Sequence, residues 1–388
     1  MRSLALLATL SSVAFATAAL PRILDLGPAG TGLRHAVIMV RAPQAMNERE
    51  LGAYQILSTS LFDKSADFIR GDLLSTLITA GVTPRFWWSQ DMIMIQCGSN
   101  PGSEPAVARI IESLVTSHQL TEEQFAKASE SLRTSRADDF SVALMGWRGD
   151  FGTSAEYVNN FAQTVFRPET VTIATHSEMR KSTESRFTEW QTPRVQRDVR
   201  SGRKGVFRGP ETAIVTRWSG ASFVPTSSSA GKILAMVGFG AGKTGLLFQV
   251  VREELRASYR QEAILFPTAT GVKPLMVFSG SNPLPNQAGK ALKARVDLYN
   301  ADDLRRIQTL AKAGWEGRIP LHPFWCTGYG PRGASEMDTV AMRALFGFWG
   351  LDPSAWDSLP EELNRVTLEE LKSASTDLLK EMTNIEEK

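Results

Sequence analysis

Residues 36–42, AVIMVRA, carry the apolar pattern of a strand, and the period then changes. Over 48–62, ERELGAYQILSTSLF, the residues Leu51, Tyr54, Leu57, Leu61 and Phe62 recur at helical spacing. FIRGDLLSTLITAG, 68–81, predicts a second helix closed by Gly81. RFWWSQDMIMIQCG, 85–98, predicts two strands that turn at Ser89, Gln90 and Asp91. Helices follow at 104–117 and 121–135. The second opens on Thr121-Glu122-Glu123-Gln124, an N-cap with acids in the first turn and Gln124 at the capping-box position. A capped helix over 153–166 and a strand over 170–177 follow.

The pattern breaks at 191–210, QTPRVQRDVRSGRKGVFRGP, where Gly, Pro and basic residues interrupt any apolar period. This reads as a linker. Beyond it come a strand at 212–217, a glycine-rich turn, and a helix at 245–256. Strands at 261–266 and 274–279 follow, then helices at 287–299, 301–313 and 336–349. VTLEELKSASTDLLKEM, 366–382, is a last Thr-capped amphipathic helix. The order of elements repeats. The helices at 51–62 and 245–256 hold matching places, as do Thr121-Glu122-Glu123 and Ala301-Asp302-Asp303. The expected class is α+β, with two similar halves over 19–190 and 211–388.

A chain of 388 residues exceeds what one core usually serves, which agrees with two units. A net charge of +2 supplies no global field for nucleic acid or anionic membrane. Arg2, the apolar run Leu4 to Phe15, and the small residues around Ala14, Ala16 and Ala18 read as a signal peptide over 1–18. That implies a periplasmic or secreted protein, with no stable membrane insertion after cleavage. Cys97 and Cys326 are the two cysteines; their wide separation gives no geometric support for a disulfide, and two buried thiols are the favoured reading.

The turn AMVGFGAGKTG, 235–245, looks at first like a phosphate loop. G-x-x-x-x-G-K-[ST] would need glycine at Val237, so the loop is one residue short, and no nucleotide is expected. The glycines instead permit a strand-to-helix turn. The helix after it carries an apolar stripe of Leu246, Leu247, Val250, Val251 and Leu255. Arg252 and Tyr259 sit seven residues apart, which an unbroken helix would place on one face.

LLFQVVREELRASY resembles the second-half signature of insulinase-type (pitrilysin and processing-peptidase) metallopeptidases, Leu-Phe-x-x-x-Arg-Glu-x-x-Gly-Leu-x-Tyr. Leu247, Phe248, Arg252, Glu253 and Tyr259 fall in register, and Arg256 replaces the glycine. FAQTVFRPETVTIATHSEM (161–179) and LPEELNRVTLEELKSASTDLL (359–379) are similar to the segments that end each half in that family. The resemblance implies that each half is a mostly antiparallel sheet packed with helices. It also implies that Arg252 and Tyr259 contact the substrate near the scissile carbonyl. More loosely, Gly238, Gly240 and Gly242 are similar to a substrate-binding glycine-rich loop of the processing peptidases.

The first half departs from the family. Active members carry His-x-x-Glu-His, two zinc ligands and a general base on one helix face. Aligned on GAYQILSTSLF, those positions hold Gln55, Ser58 and Thr59, which cannot do that work. Glu130 is the acid nearest the family's distal ligand. His35, His118, His176 and His322 are far apart in sequence, and Pro323 biases the His322/Cys326 stretch away from helix.

The reading that follows is a non-catalytic subunit with no metal of its own, paired with a zinc-bearing homologue that carries His-x-x-Glu-His. Its substrate would be peptide or unfolded polypeptide. The alternative is a catalytically silent peptide-binding or scaffold protein. Trp87, Trp88, Phe346, Phe348 and Trp349 are read as core and inter-half packing rather than a peptide chamber.

Overall fold

The computed structural model describes residues 20–60, 81–89, 91–116, 119–134, 149–187, 190, 214–258, 260–280, 285–316 and 336–384. The signal peptide, residues 68–80 of the helix expected over 68–81, the linker, His118, His322, Cys326 and Tyr259 lie outside them.

The first half runs β1 (Arg22–Asp25), β2 (Arg34–Arg41), α1 (Glu48–Ser60), β3 (Thr83–Trp88) and β4 (Met92–Ser99). It continues with α2 (Glu104–Thr116), α3 (Glu122–Thr134), α4 (Ala155–Val165), β5 (Val171–Thr175) and α5 (Ser177–Phe187). The second half has β6 (Ile214–Ser219), α6 (Ala230–Gly240), a π-type helix (Phe248–Glu254), β7 (Arg260–Thr268) and β8 (Gly271–Gly280). Then come α7 (Pro285–Asp297), α8 (Ala301–Trp315), α9 (Glu336–Phe348), α10 (Ala355–Arg365), α11 (Leu368–Glu381) and the short β9 (Thr383–Asn384).

The sheets are ordered β1-β5-β2-β4-β3 and β7-β8-β6-β9. Without β1, which pairs parallel to β5, the first order is β5-β2-β4-β3 and every pairing is antiparallel. The second sheet, read from its other edge, is β9-β6-β8-β7, also antiparallel throughout. The same order thus recurs in both halves, and the α+β fold with two helix-packed sheets is as expected.

The strand β2 shows why its apolar run is unbroken. Ala36, Ile38 and Val40 pack with Ile93, Ile95 and Ile173 under the first half's own helices. Val37 and Met39 face the other way and join Met92, Met94 and Ala174 in one continuous core with the second half. The helix α9 lies against β2 and β5 on that side. A strand covered on both faces loses the polar alternation of a half-exposed one.

Polar contacts tie the seam. The Arg41 guanidinium donates to the Ala269 carbonyl at 2.6 Å and to Phe348 O at 3.3 Å, and stacks on the Phe348 ring. Asp91, between β3 and β4, accepts the Ala269 N–H at 3.1 Å. Trp349 Nε1–H donates to Thr268 O. The β7–β8 turn is therefore held by a cation on its carbonyl and an anion on its amide. Phe348 is at the inter-half seam, and Phe346 and Phe348 are buried, as the packing reading expects.

Several elements differ from the sequence expectation. The helix α6 is new, and it, rather than 245–256, is the first helix after β6 and the counterpart of α1. It is apolar almost all round, so it shows no amphipathic stripe. The helix α5 is mostly polar and buries only Met179, Thr183 and Phe187. In α10, Pro360 sits inside the helix and masks it in sequence. The counterparts α3 and α8 stand where the matching acidic N-termini put them. Asn300 caps α8, accepting the Asp302 and Asp303 N–H groups.

Candidate functional site

The helix α1 is the first part of the site. Asn47 opens it: its Oδ1 accepts the Glu50 N–H, and Glu50 returns a carboxylate to the Asn47 N–H, a reciprocal cap. Further along, Ala53, Ile56 and Leu57 anchor it in the core. Gln55 is 2% exposed and Ser58 fully buried, with Thr59 half-buried beside them.

Gln55 is not idle. Its Oε1 accepts the Gly149 N–H at 2.9 Å, and the next amide, Asp150 N–H, donates to Glu48 O at 2.8 Å. The segment 149–151 thus lies across α1. Gly52 makes the crossing possible, because a Cβ there would collide with the Asp150 carbonyl. The crossing segment ends in Phe151, which is buried in the first-half core and whose carbonyl accepts from Arg133.

These residues do not fit zinc. An amide occupied by a backbone N–H and two hydroxyls offer no anionic or imidazole donor. Glu130 is exposed on α3, whose buried residues are Ala128, Ser129 and Leu132. Among the described residues no group of three His, Cys, Asp or Glu side chains could hold a metal. His35 and His176 are both buried and close, ring centroids 5.6 Å apart, with His176 Nδ1 accepting the His35 N–H. Cys97 is a free, buried thiol, and burial pushes its pKa up to about 12.

The second part is the corner after α6. Gly238 and Gly240 lie within that helix, not in the following turn. A Cβ on Gly240 would come 2.5 Å from the Ala263 carbonyl, and one on Gly238 within 2.9 Å of the Ile307 side chain. These glycines bring α6 close to β7 and α8. Gly242, at φ 56°, makes the turn itself. Within it, the Thr244 and Gly245 N–H groups and the Thr244 hydroxyl donate to Ala241 and Gly242 carbonyls. They are turned inward on their own loop rather than out toward an anion.

The chain then widens into the π-type helix. Leu246, Leu247, Val250 and Val251 are buried, as the apolar stripe predicts. Arg252 is exposed, with its guanidinium 5.3 Å from the Phe248 ring centroid. The helix does not run on to residue 259. It stops at Arg256, where φ is 50°, and the Ala257 N–H returns to Val251 O at 2.9 Å. This is a left-handed ending of the kind glycine usually supplies, here closed by a wider bond than an α-helix would use, and an L side chain there costs about 1–2 kcal/mol.

The chain beyond is pinned. The Ala257 carbonyl packs on Gly280, where no Cβ fits, and the Ser258 hydroxyl donates to Arg260 O at 2.6 Å and Ser279 O at 3.0 Å. Helical spacing would have set Arg252 and Tyr259 on one helix face; the break at 255–256 puts a fixed corner between them instead. Sequence spacing gave no hint of that corner. It also gave none of the Arg41–Asp91 grip.

No protein-family model matches the chain. No curated protein matches it in sequence. Its likeness is to solved structures. The peptidase M16 inactive domain from Pseudomonas fluorescens superposes with a TM-score of 0.68 at 11% identity, covering 95% of both chains. A protease from Helicobacter pylori gives a TM-score of 0.67 at 10% identity, covering 91% of this chain and 93% of that one. The periplasmic protease PqqL from Escherichia coli gives 0.60 at 14% identity, over 92% of this chain but only 43% of PqqL. At such identities the likeness is one of fold: this chain is built on the architecture shared by the peptidase M16 inactive domain and the two proteases.

Proposed function

We propose that this chain is the non-catalytic subunit of an exported, insulinase-type zinc metallopeptidase. A homologous partner would carry His-x-x-Glu-His and the zinc ion. This chain would contribute Arg252 to hold the peptide backbone and Tyr259 to donate its O–H to the oxyanion on the attacked carbonyl. Gly242 would border the bound peptide at the turn it makes, with Gly238 and Gly240 seating the helix that leads into it.

One observation carries the reading. The chain superposes over 95% of its length on an inactive peptidase domain, while the helix that would carry zinc ligands has Gln55 tied to Gly149. A peptidase scaffold without ligands is what a supporting subunit requires. Zinc on the partner would supply the Lewis acid and the activated water. Removing one oxyanion donor costs about 2.7–4 kcal/mol of transition-state stabilisation. In the complex, Tyr259→Phe should therefore lower kcat about 100-fold or more without dissociating the subunits.

The test is purification of the tagged protein from its host, with mass spectrometry of what accompanies it and zinc analysis of the same sample. A stoichiometric His-x-x-Glu-His partner with zinc supports the reading. Metal-free protein with no such partner favours a silent peptide-binding or scaffold protein. A Tyr259→Phe complex as active as wild type removes the oxyanion assignment.

A further inference from the structure

Arg256 is strained, exposed and so far without a task. At φ 50° it occupies backbone space where glycine would sit freely, and bulky residues held there are uncommon. Such outliers gather at ligand-contacting positions. No contact of its side chain offsets the strain. The side chain is exposed, and among the described residues no carboxylate, ring or hydrogen-bond acceptor engages it. The nearby acids serve others. Glu254 pairs with Arg295, and Glu262 lies 3.6 Å from Arg260. Glu253, exposed on the preceding turn, makes no ion pair with Arg256.

The backbone that carries this guanidinium is rigid on both sides. The Val251–Ala257 hydrogen bond closes the turn before it, and Ser258 is bonded to β7 and β8 after it. The backbone is already fixed, so an external partner has only the side chain to order. Its planar fork matches a carboxylate bidentately, which a glycine at this position could not do.

We infer that Arg256 is a specificity-determining residue that selects peptides with acidic side chains beside the segment held by Arg252. The inference rests on the proposed role of Arg252 and Tyr259 as peptide contacts. It adds a substrate class, acidic polypeptide, to that role.

The test uses the full chain and two fluorescent peptides of equal length, one with glutamates and the other with glutamines at the same places. Anisotropy at low salt should show the acidic peptide binding about tenfold tighter, the worth of one charge-assisted contact. Arg256→Gly should erase that difference while leaving the glutamine peptide within about twofold of wild type. Its Tm should not fall, since glycine relieves the left-handed strain, so lost preference would not be lost folding. Raising salt should shrink the wild-type difference.

An Arg256→Gly protein that keeps the full preference overturns the inference, as does a wild type with no preference. Arg252→Ala separates the two ideas: it should weaken both peptides alike. If Arg252→Ala changes neither while Arg256→Gly erases the difference, the backbone-holding role fails and Arg256 stands alone as the acid-selecting contact. Failure of both peptides to bind wild type would overturn both.

Discussion

The helices α1 and α6 hold the same place in the two halves, each following a strand interior to its sheet, and they are made of different material. The helix α1 buries Glu50, Gln55, Ser58 and Ser60 among its apolar residues. The helix α6 buries Ile233, Leu234, Met236, Val237 and Phe239, and no charged residue. Both still use a glycine where another backbone comes in, Gly52 beneath 149–150 and Gly240 against β7. A helix that only has to pack can be apolar throughout. A helix with buried polar groups must match them, and Gln55 is matched by a backbone amide across the fold.

Substitution at the two crossings would break or sharpen this comparison. Gly52→Ala should have the largest effect, about 3 kcal/mol of lost stability, because its Cβ would come 1.9 Å from the Asp150 carbonyl oxygen. Gly240→Ala, with a shallower overlap at 2.5 Å, should cost about 1–2 kcal/mol. Urea midpoints measure both, and equal losses would contradict the deeper crossing assigned to α1.

Gln55→Met keeps the side-chain length but leaves the Gly149 N–H without its acceptor. A loss of about 1–3 kcal/mol is expected, together with faster hydrogen exchange at Gly149. Unchanged exchange would mean that the amide does not depend on Gln55.

The smallest effect belongs to the second sheet. Glu262 lies on β7, and burial raises its carboxyl above the usual range despite Arg260. A carboxyl raised on folding favours the folded state while protonated, and that contribution is lost as pH climbs through the folded value. Glu262→Gln should therefore raise Tm slightly at pH 7 and not at about pH 4, near the ordinary carboxylate range. A gain that persists in acid would point to packing rather than charge.

Much of this was legible in the sequence. The hairpin at Ser89–Asp91, the helices α2, α3, α4, α8 and α11, and the α+β order of the halves follow from period and capping residues that act within a few positions. The elements that escaped lack such marks: α6 is apolar all round, α5 buries little, and α10 contains Pro360. Arg252 could be singled out by its register in a motif. The grip of Arg41 and Asp91 on the β7–β8 turn could not, since the residues involved are more than 170 positions apart.

The sequence by itself determined the elements marked by period and caps and the lack of a His-x-x-Glu-His motif, because both depend on which side chains stand at short, fixed spacings. Tertiary structure alone decided what became of those positions. It turned Gln55 into the acceptor for a distant amide and made Gly238 and Gly240 into packing surfaces. It also held Arg256 in a left-handed turn. Each depends on a backbone arriving from elsewhere in the chain, and no spacing along the sequence encodes that approach.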